Sequence, residues 1–197
     1  MKVVKWLAIV VVVLVVAFVV VGLFLPNKIH VERSLAIDAP PEVVFKYLND
    51  LEEWEHWEPF SKGDPSIVTT IGEPSAGVGA TQSWVGDSGT GSLTFTMADP
   101  DKGIAYDLQF DDFEPSTSEM TYEVVDGKTV LTWTMDGSVG VPVIGGYFAM
   151  IIEGMVGPEY EKGLGFLRDV AEADTAGEST DEPDATDESG EPDDSGV

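Results

Sequence analysis

A chain of 197 residues with 36 Asp and Glu against 10 Lys and Arg, and 43% hydrophobic residues, has room for one globular domain with appendages. It contains no cysteine, which excludes disulfides, thiol nucleophiles and thiolate metal sites, and its formal net charge of −26 excludes a broad DNA or RNA footprint, because a basic surface is what neutralises phosphates. A mean hydropathy of +0.05 beside so much charge requires apolar and acidic residues to occupy separate territories.

The first territory is apolar. From Trp6 to Leu25 there are twenty residues without a charge, which as a helix rising about 1.5 Å per residue match the thickness of a bilayer's hydrocarbon core, roughly 30 Å. A spanning helix is expected over residues 6–25, within an anchor of residues 1–27. A soluble helix buried in a core would show a polar face. A cleaved signal peptide would have an apolar run of about 7 to 15 residues and a small-x-small site after it. Lys2 and Lys5 precede the run, whereas Lys28 and Arg33 beyond it are offset by Glu32 and Asp38. The cationic end is expected in the cytoplasm and the remainder outside the cell membrane.

The last territory, residues 172–197, carries eleven acids and no base. Such a segment cannot bury enough apolar surface to offset chain entropy, so a disordered acidic tail is expected. Between them, residues 28–171 hold 25 acids and 8 bases, a net of −17, and form one domain of ordinary size. An acidic domain of this kind suits a high-salt habitat, where screening relieves self-repulsion.

Within that domain Ile29, Val31, Leu35 and Ile37 alternate with polar residues and predict a first strand. Arg33 falls on the apolar side, as a snorkelling strand-end cation or as a partner for a buried ligand. Pro40-Pro41-Glu42 followed by Val44, Tyr47, Leu48 and Leu51 predicts a short amphipathic helix. A second is expected from Leu51, with Trp54 and Trp57 on one face and Pro59 ending it. From about Ser66 to Ser138 the period becomes two. Ala80, Gln82 and Trp84 share a parity, as do Leu93, Phe95 and Met97, then Ile104, Tyr106, Leu108 and Phe110, then Met120, Tyr122 and Val124, then Leu131, Trp133 and Met135. The turns between them, Asp126-Gly127 above all, predict an antiparallel meander. After Pro142 a helical pattern returns. Val143 to Val156 is apolar almost all round and must be covered by protein or lipid. Gly157-Pro158 should kink or restart the helix, and Tyr160, Leu164, Leu167 and Ala171 form its inward face.

The order is one strand, two short helices, six strands and one long helix, which is an α+β arrangement in which a curved antiparallel sheet wraps the last helix. The segments V-E-R-S-L-A-I-D-A-P-P-E-V-V-F at 31–45, W-x-x-W-x-P-F at 54–60, Asp64-Pro65, Gly77-Val78-Gly79-Ala80 before Trp84, Thr132-Trp133-Thr134-Met135 and the stretch Gly157 to Leu164 resemble the START and polyketide cyclase/dehydrase superfamily, also called SRPBCC. The resemblance covers nearly all of residues 29–171. It implies a START-like helix-grip fold: a sheet of about seven strands around a long C-terminal helix, with a cavity between them. It also implies a broad range of activities, from lipid and sterol carriage to aromatic cyclisation.

Chemistry-bearing motifs are few. His30 and His56 are far apart and make no zinc site, and Gly86 to Gly91 reads as a hairpin turn and not as a phosphate loop. Neither metal nor cofactor is expected, and no catalytic residue is assigned, although Tyr106, Tyr122, Asp107, Glu123 and Gln82 are the candidates that a cyclase would draw on. Parity places Gln82, Trp84, Phe95, Tyr106, Leu108, Phe110, Met120, Tyr122, Trp133 and Met135 on the concave side. Met150 and Met155 would join them from the last helix, giving an apolar pocket with one amide to orient a guest. The leading expectation is membrane-anchored binding of a hydrophobic small molecule or lipid. The alternatives are a polyketide cyclase- or dehydrase-like enzyme in the same cavity, and a ligandless surface module whose interior is filled by its own side chains.

Overall fold

The computed structural model describes residues 2–111 and 113–178. Helix α1 (Lys2–Phe24) contains the uncharged run up to Phe24, and its Val3–Phe24 portion is long and apolar enough to cross a membrane. Two residues, Pro26 and Asn27, separate Leu25 from strand β1 (Lys28–Ile37). Helix α2 (Pro41–Asn49) follows, then a 3-10 turn (Glu53–His56) and the short helix α3 (Pro59–Gly63). Strands β2 (Val68–Ile71), β3 (Thr81–Gly86), β4 (Gly89–Asp99), β5 (Gly103–Phe110), β6 (Ser116–Val125) and β7 (Lys128–Ser138) precede helix α4 (Gly145–Glu178).

The strands form one antiparallel sheet in the order β1-β7-β6-β5-β4-β3-β2. Each hairpin neighbour pairs with the next, and β7 returns to β1, with Val31 opposite Met135 and Arg33 opposite Trp133. The sheet is curved around α4, whose inward residues Tyr160, Leu164, Leu167 and Ala171 are all buried. The predicted alternation puts Val31, Ile37, Phe95, Ile104, Tyr106, Met120, Leu131 and Trp133 in the same core. A shift of register between Phe95 and Met97 marks a bulge opposite β5, so Met97 loses the parity it was expected to share.

Three expectations need correction. Pro59 does not end the tryptophan helix: it opens α3 as its first residue, with the Glu58 carboxylate accepting from the Phe60 and Ser61 amides. Proline has no amide to lose at that position, and its fixed φ suits a helix start. Pro158 does not restart the helix: α4 is continuous from Gly145 to Glu178 with the proline inside it. The helix also passes the expected tail boundary at residue 171. Glu172 accepts from the Asp38 amide at 2.9 Å, and Asp174 pairs with Lys46 at 2.9 Å, so acids assigned to a solvated tail hold α4 to the β1–α2 corner. The rest of that expected tail, residues 179–197, lies outside the described residues.

Candidate functional site: a cleft beside the tryptophan turn

The tryptophan turn is fastened to α2 by its indoles. A helix leaves its last carbonyls without intrahelical partners; here Trp57 donates to the Tyr47 carbonyl and Trp54 to the Leu48 carbonyl, each at 3.0 Å. Both rings therefore point into the cup. Trp54 lies 5.0 Å from Trp57, 5.8 Å from Phe95 and 5.7 Å from Tyr106 between ring centroids. Trp57 meets Trp133 edge-on at 5.7 Å, and Trp133 stacks on Tyr160 of α4 at 3.8 Å. Such aromatic pairs contribute about 0.5–1.5 kcal/mol each beyond area burial. Together these rings fill the deep interior, where a guest was expected.

A small polar network sits among them. The Trp133 N–H is 3.1 Å from both the Tyr106 hydroxyl and Ser118 Oγ, and Ser118 in turn donates to the Thr134 carbonyl at 2.6 Å. Ser118 and the Tyr160 hydroxyl are 3.4 Å apart. Burial pushes the Tyr106 phenol up to about 12 against the hydrogen bonds that favour its anion, and pushes Tyr160 well above its ordinary value. Among the described residues no buried side-chain nitrogen or oxygen lacks a partner. At neutral pH these phenols are neutral packing groups, sealed from solvent.

Open space lies beside the tryptophan turn. A cleft of about 490 Å³ runs between the 3-10 turn and α3 on one side and the β2–β3 edge on the other. Leu51, Trp54 and Ile71 give it apolar walls, Gln82 an amide, and Glu52, Glu55 and Glu58 an acidic rim. Glu58 is committed to capping α3. His56 is on the outer side of the same turn, 3.7 Å from Glu53 and 3.9 Å from Glu55.

Of the expected cavity residues, only Gln82 lines this cleft. Phe95, Tyr106, Met120, Trp133 and Met135 are buried in the core, and Leu108 packs against it half-buried. Tyr122 is half-buried, and its hydroxyl turns outward to donate to the Pro100 carbonyl at 2.6 Å. Trp84 and Phe110 meet at 6.3 Å at the far end of the sheet, where Phe110 is 37% exposed. Met150 and Met155 are corrected outright: at 63% and 67% exposed they face away from the cup. The buried side of that part of α4 belongs to Ala149, Ile152 and Val156, and the register of one helix cannot serve both faces. The sequence reading missed Leu51, Trp54, Ser61, Thr69 and Ile71. The paired tryptophans before Pro59 were the available signal; the pairing of β2 with β3 was not legible. Arg33 takes the outward option, its Nε 2.7 Å from Glu161. Among the described residues no group of three or more His, Asp or Glu could hold a metal.

This geometry defines a helix-grip domain with a peripheral cleft. Residues 28–172 match the model of the family described as Polyketide cyclase / dehydrase and lipid transport, and the chain belongs to that family. No curated protein matches the chain. Among solved structures it is similar to the di-domain ARO/CYC protein StfQ from the steffimycin biosynthetic pathway, at 12% identity and a TM-score of 0.58, covering 76% of this chain and 52% of that one. The chain thus spans about half the length of that relative. It is also similar to the protein CV1439 from Chromobacterium violaceum, at 19% identity and a TM-score of 0.50 over 74% of this chain and 97% of that one. A protein from Mycobacterium smegmatis, Ms6760, is 19% identical with a TM-score of 0.50, over 76% and 92% of the two chains. These likenesses concern the fold.

Proposed function

We propose that the chain is a single-pass, membrane-anchored helix-grip protein that binds a hydrophobic small molecule or lipid, and that the guest sits in the cleft beside the tryptophan turn. The observation that carries this reading is the cleft itself: about 490 Å³, with Leu51, Trp54 and Ile71 at its apolar base and Ser61, Thr69, Gln82 and three glutamates as the polar remainder of its lining. Ligand sites are concave and mostly apolar, with few orienting polar groups. The family description, which includes lipid transport, supports the class of guest. The apolar α1 supports anchoring, and the lysines before it favour an extracytoplasmic domain.

A cyclase-like reaction finds less support. The phenols of Tyr106 and Tyr122 are both held up at about 12, and the Tyr106 hydroxyl is locked in the core network, so neither is poised as an acid or base near neutral pH. The test is native mass spectrometry of the full chain released from its own membrane, beside Thr69→Trp. Thr69 is exposed on the cleft wall, so an indole there fills the space without disturbing the core. A stoichiometric adduct in the parent that is absent from Thr69→Trp is expected. No adduct, or one indifferent to the substitution, contradicts the reading.

A further inference from the structure

The junction of α1 and α4 fixes a depth. The Tyr147 hydroxyl donates to the Phe18 carbonyl at 3.0 Å, and the two rings stack with centroids 4.5 Å apart. Gly22 lies against the Val143 backbone and Gly146 against Leu25, so closely that a Cβ at either glycine would collide. Phe18 is about one and two-thirds turns before Phe24, where α1 ends, about 9 Å back along its axis at ~1.5 Å per residue. The hydrocarbon half-thickness of a bilayer is about 15 Å. A side chain bonded to the Phe18 carbonyl of a spanning α1 therefore lies inside the hydrocarbon.

The surface around Tyr147 has the composition that this depth demands. Residues 137–152 carry no charged side chain. Ile144, Phe148, Ile151 and Met155 recur at spacings of four, three and four, and all are exposed, whereas Ala149, Ile152 and Val156 turn to the core. Val141, just before, is exposed as well. The turn leading into α4 also pairs its own backbone: Gly145 donates to the Val141 carbonyl and Ile144 to the Pro142 carbonyl, each at 2.8 Å, and Tyr147 and Phe148 both donate to Ile144 at 3.1 Å. Backbone in lipid must pair internally, and these four bonds pair part of the turn. From there α4 climbs along β1, passing Arg33 at Gly157 and Asp38 at Glu172, so its N-terminal end is the one beside α1.

We propose that residues 141–148 form a second membrane-embedded element in which Ile144 and Phe148 face acyl chains, with Ile151 and Met155 in the headgroup layer. The inference rests on the reading of α1 as a span. It makes the domain a body held at two points, unable to swing about the short Pro26-Asn27 link.

The cysteine-free chain allows a clean test. Single Ile144→Cys, Phe148→Cys, Val12→Cys and Ser88→Cys variants of the full chain, each carrying a nitroxide, are reconstituted in phosphatidylcholine vesicles. Power-saturation EPR then compares access by oxygen, which concentrates in hydrocarbon, and by a water-soluble nickel chelate. Labels at 144 and 148 are expected to follow position 12, open to oxygen and shielded from nickel, while position 88 shows the reverse. Nickel access at 144 and 148 with position 12 shielded overturns the inference and leaves the span intact. Nickel access at position 12 overturns the span and the inference together. Shielding from both reagents at 144 and 148, with dipolar broadening between labels, identifies a second copy of the chain in place of lipid and also overturns it.

Discussion

Ser118 is the hub of the buried network, because its hydroxyl both donates to Thr134 and stands within reach of Trp133 and Tyr160. Ser118→Ala removes the hub and leaves the Tyr160 hydroxyl without that neighbour. A buried polar group deprived of its partner costs about 1–3 kcal/mol, and denaturant unfolding followed by tryptophan fluorescence should show a loss of that size. No loss would mean that water reaches the site. His30 gives a second test at this scale. Its Nδ1 lies 2.8 Å from Asp136, and that hydrogen bond, followed by the carboxylate's charge, raises its pKa above the ordinary 6.5. A raised folded pKa means that the pair's stabilisation is complete below about pH 6.5 and is lost as pH climbs through the folded value. The midpoint gap between the parent and Asp136→Asn should therefore be largest in mild acid and shrink toward alkaline pH. It should be small throughout, because both side chains are 59% exposed. A gap that grows with pH contradicts the assignment, as does an NMR titration placing His30 below 6.5.

At the scale of elements, α4 is seated by a close approach at Gly163. A Cβ there would stand 2.9 Å from the Trp133 ring and 3.0 Å from the Pro59 ring. Alanine raises helix propensity by about 1 kcal/mol over glycine, but these rigid neighbours cannot yield easily, and overpacking costs about 1–3 kcal/mol. Gly163→Ala should lower the unfolding midpoint; a rise would show that α3 can withdraw from α4. The strands, the meander and the inward face of α4 were legible in the sequence because hydrophobic period reports directly on which face is buried. Leu131-Trp133-Met135 and Tyr160-Leu164-Leu167 needed no tertiary information. What the period could not supply was how far the side chains fill the cup. Trp54 and Trp57 were visible as a pair on a turn, but their place depends on the α2 carbonyls to which their indoles bond, and that is a tertiary fact. Met150 and Met155 failed for a related reason. A segment apolar on all sides shows no inward face, so its periodicity could not tell which of its residues turn to the core. Pro59 failed because a proline that can end one helix can equally begin the next.

For the whole molecule, the charge of −26 is a repulsion that packing must overcome. The Debye length falls from about 10 Å at 0.1 M salt to about 3 Å at 1 M. The thermal midpoint of the detergent-solubilised full chain should rise by several degrees over that range of potassium chloride; a flat response would rule out salt adaptation. The central claim is that a greasy guest enters beside the tryptophan turn and not into the deep interior, which Trp54, Trp57, Trp133 and Tyr160 already occupy. The most direct measurement is photolabelling of the full chain in its own membrane with a neutral aliphatic diazirine, followed by peptide mapping. Label on residues 51–61, 69–71 and 82 that disappears in Thr69→Trp is the predicted result. Label confined to α1 and residues 141–148, or label near Trp54 that persists in the filled variant, would contradict it.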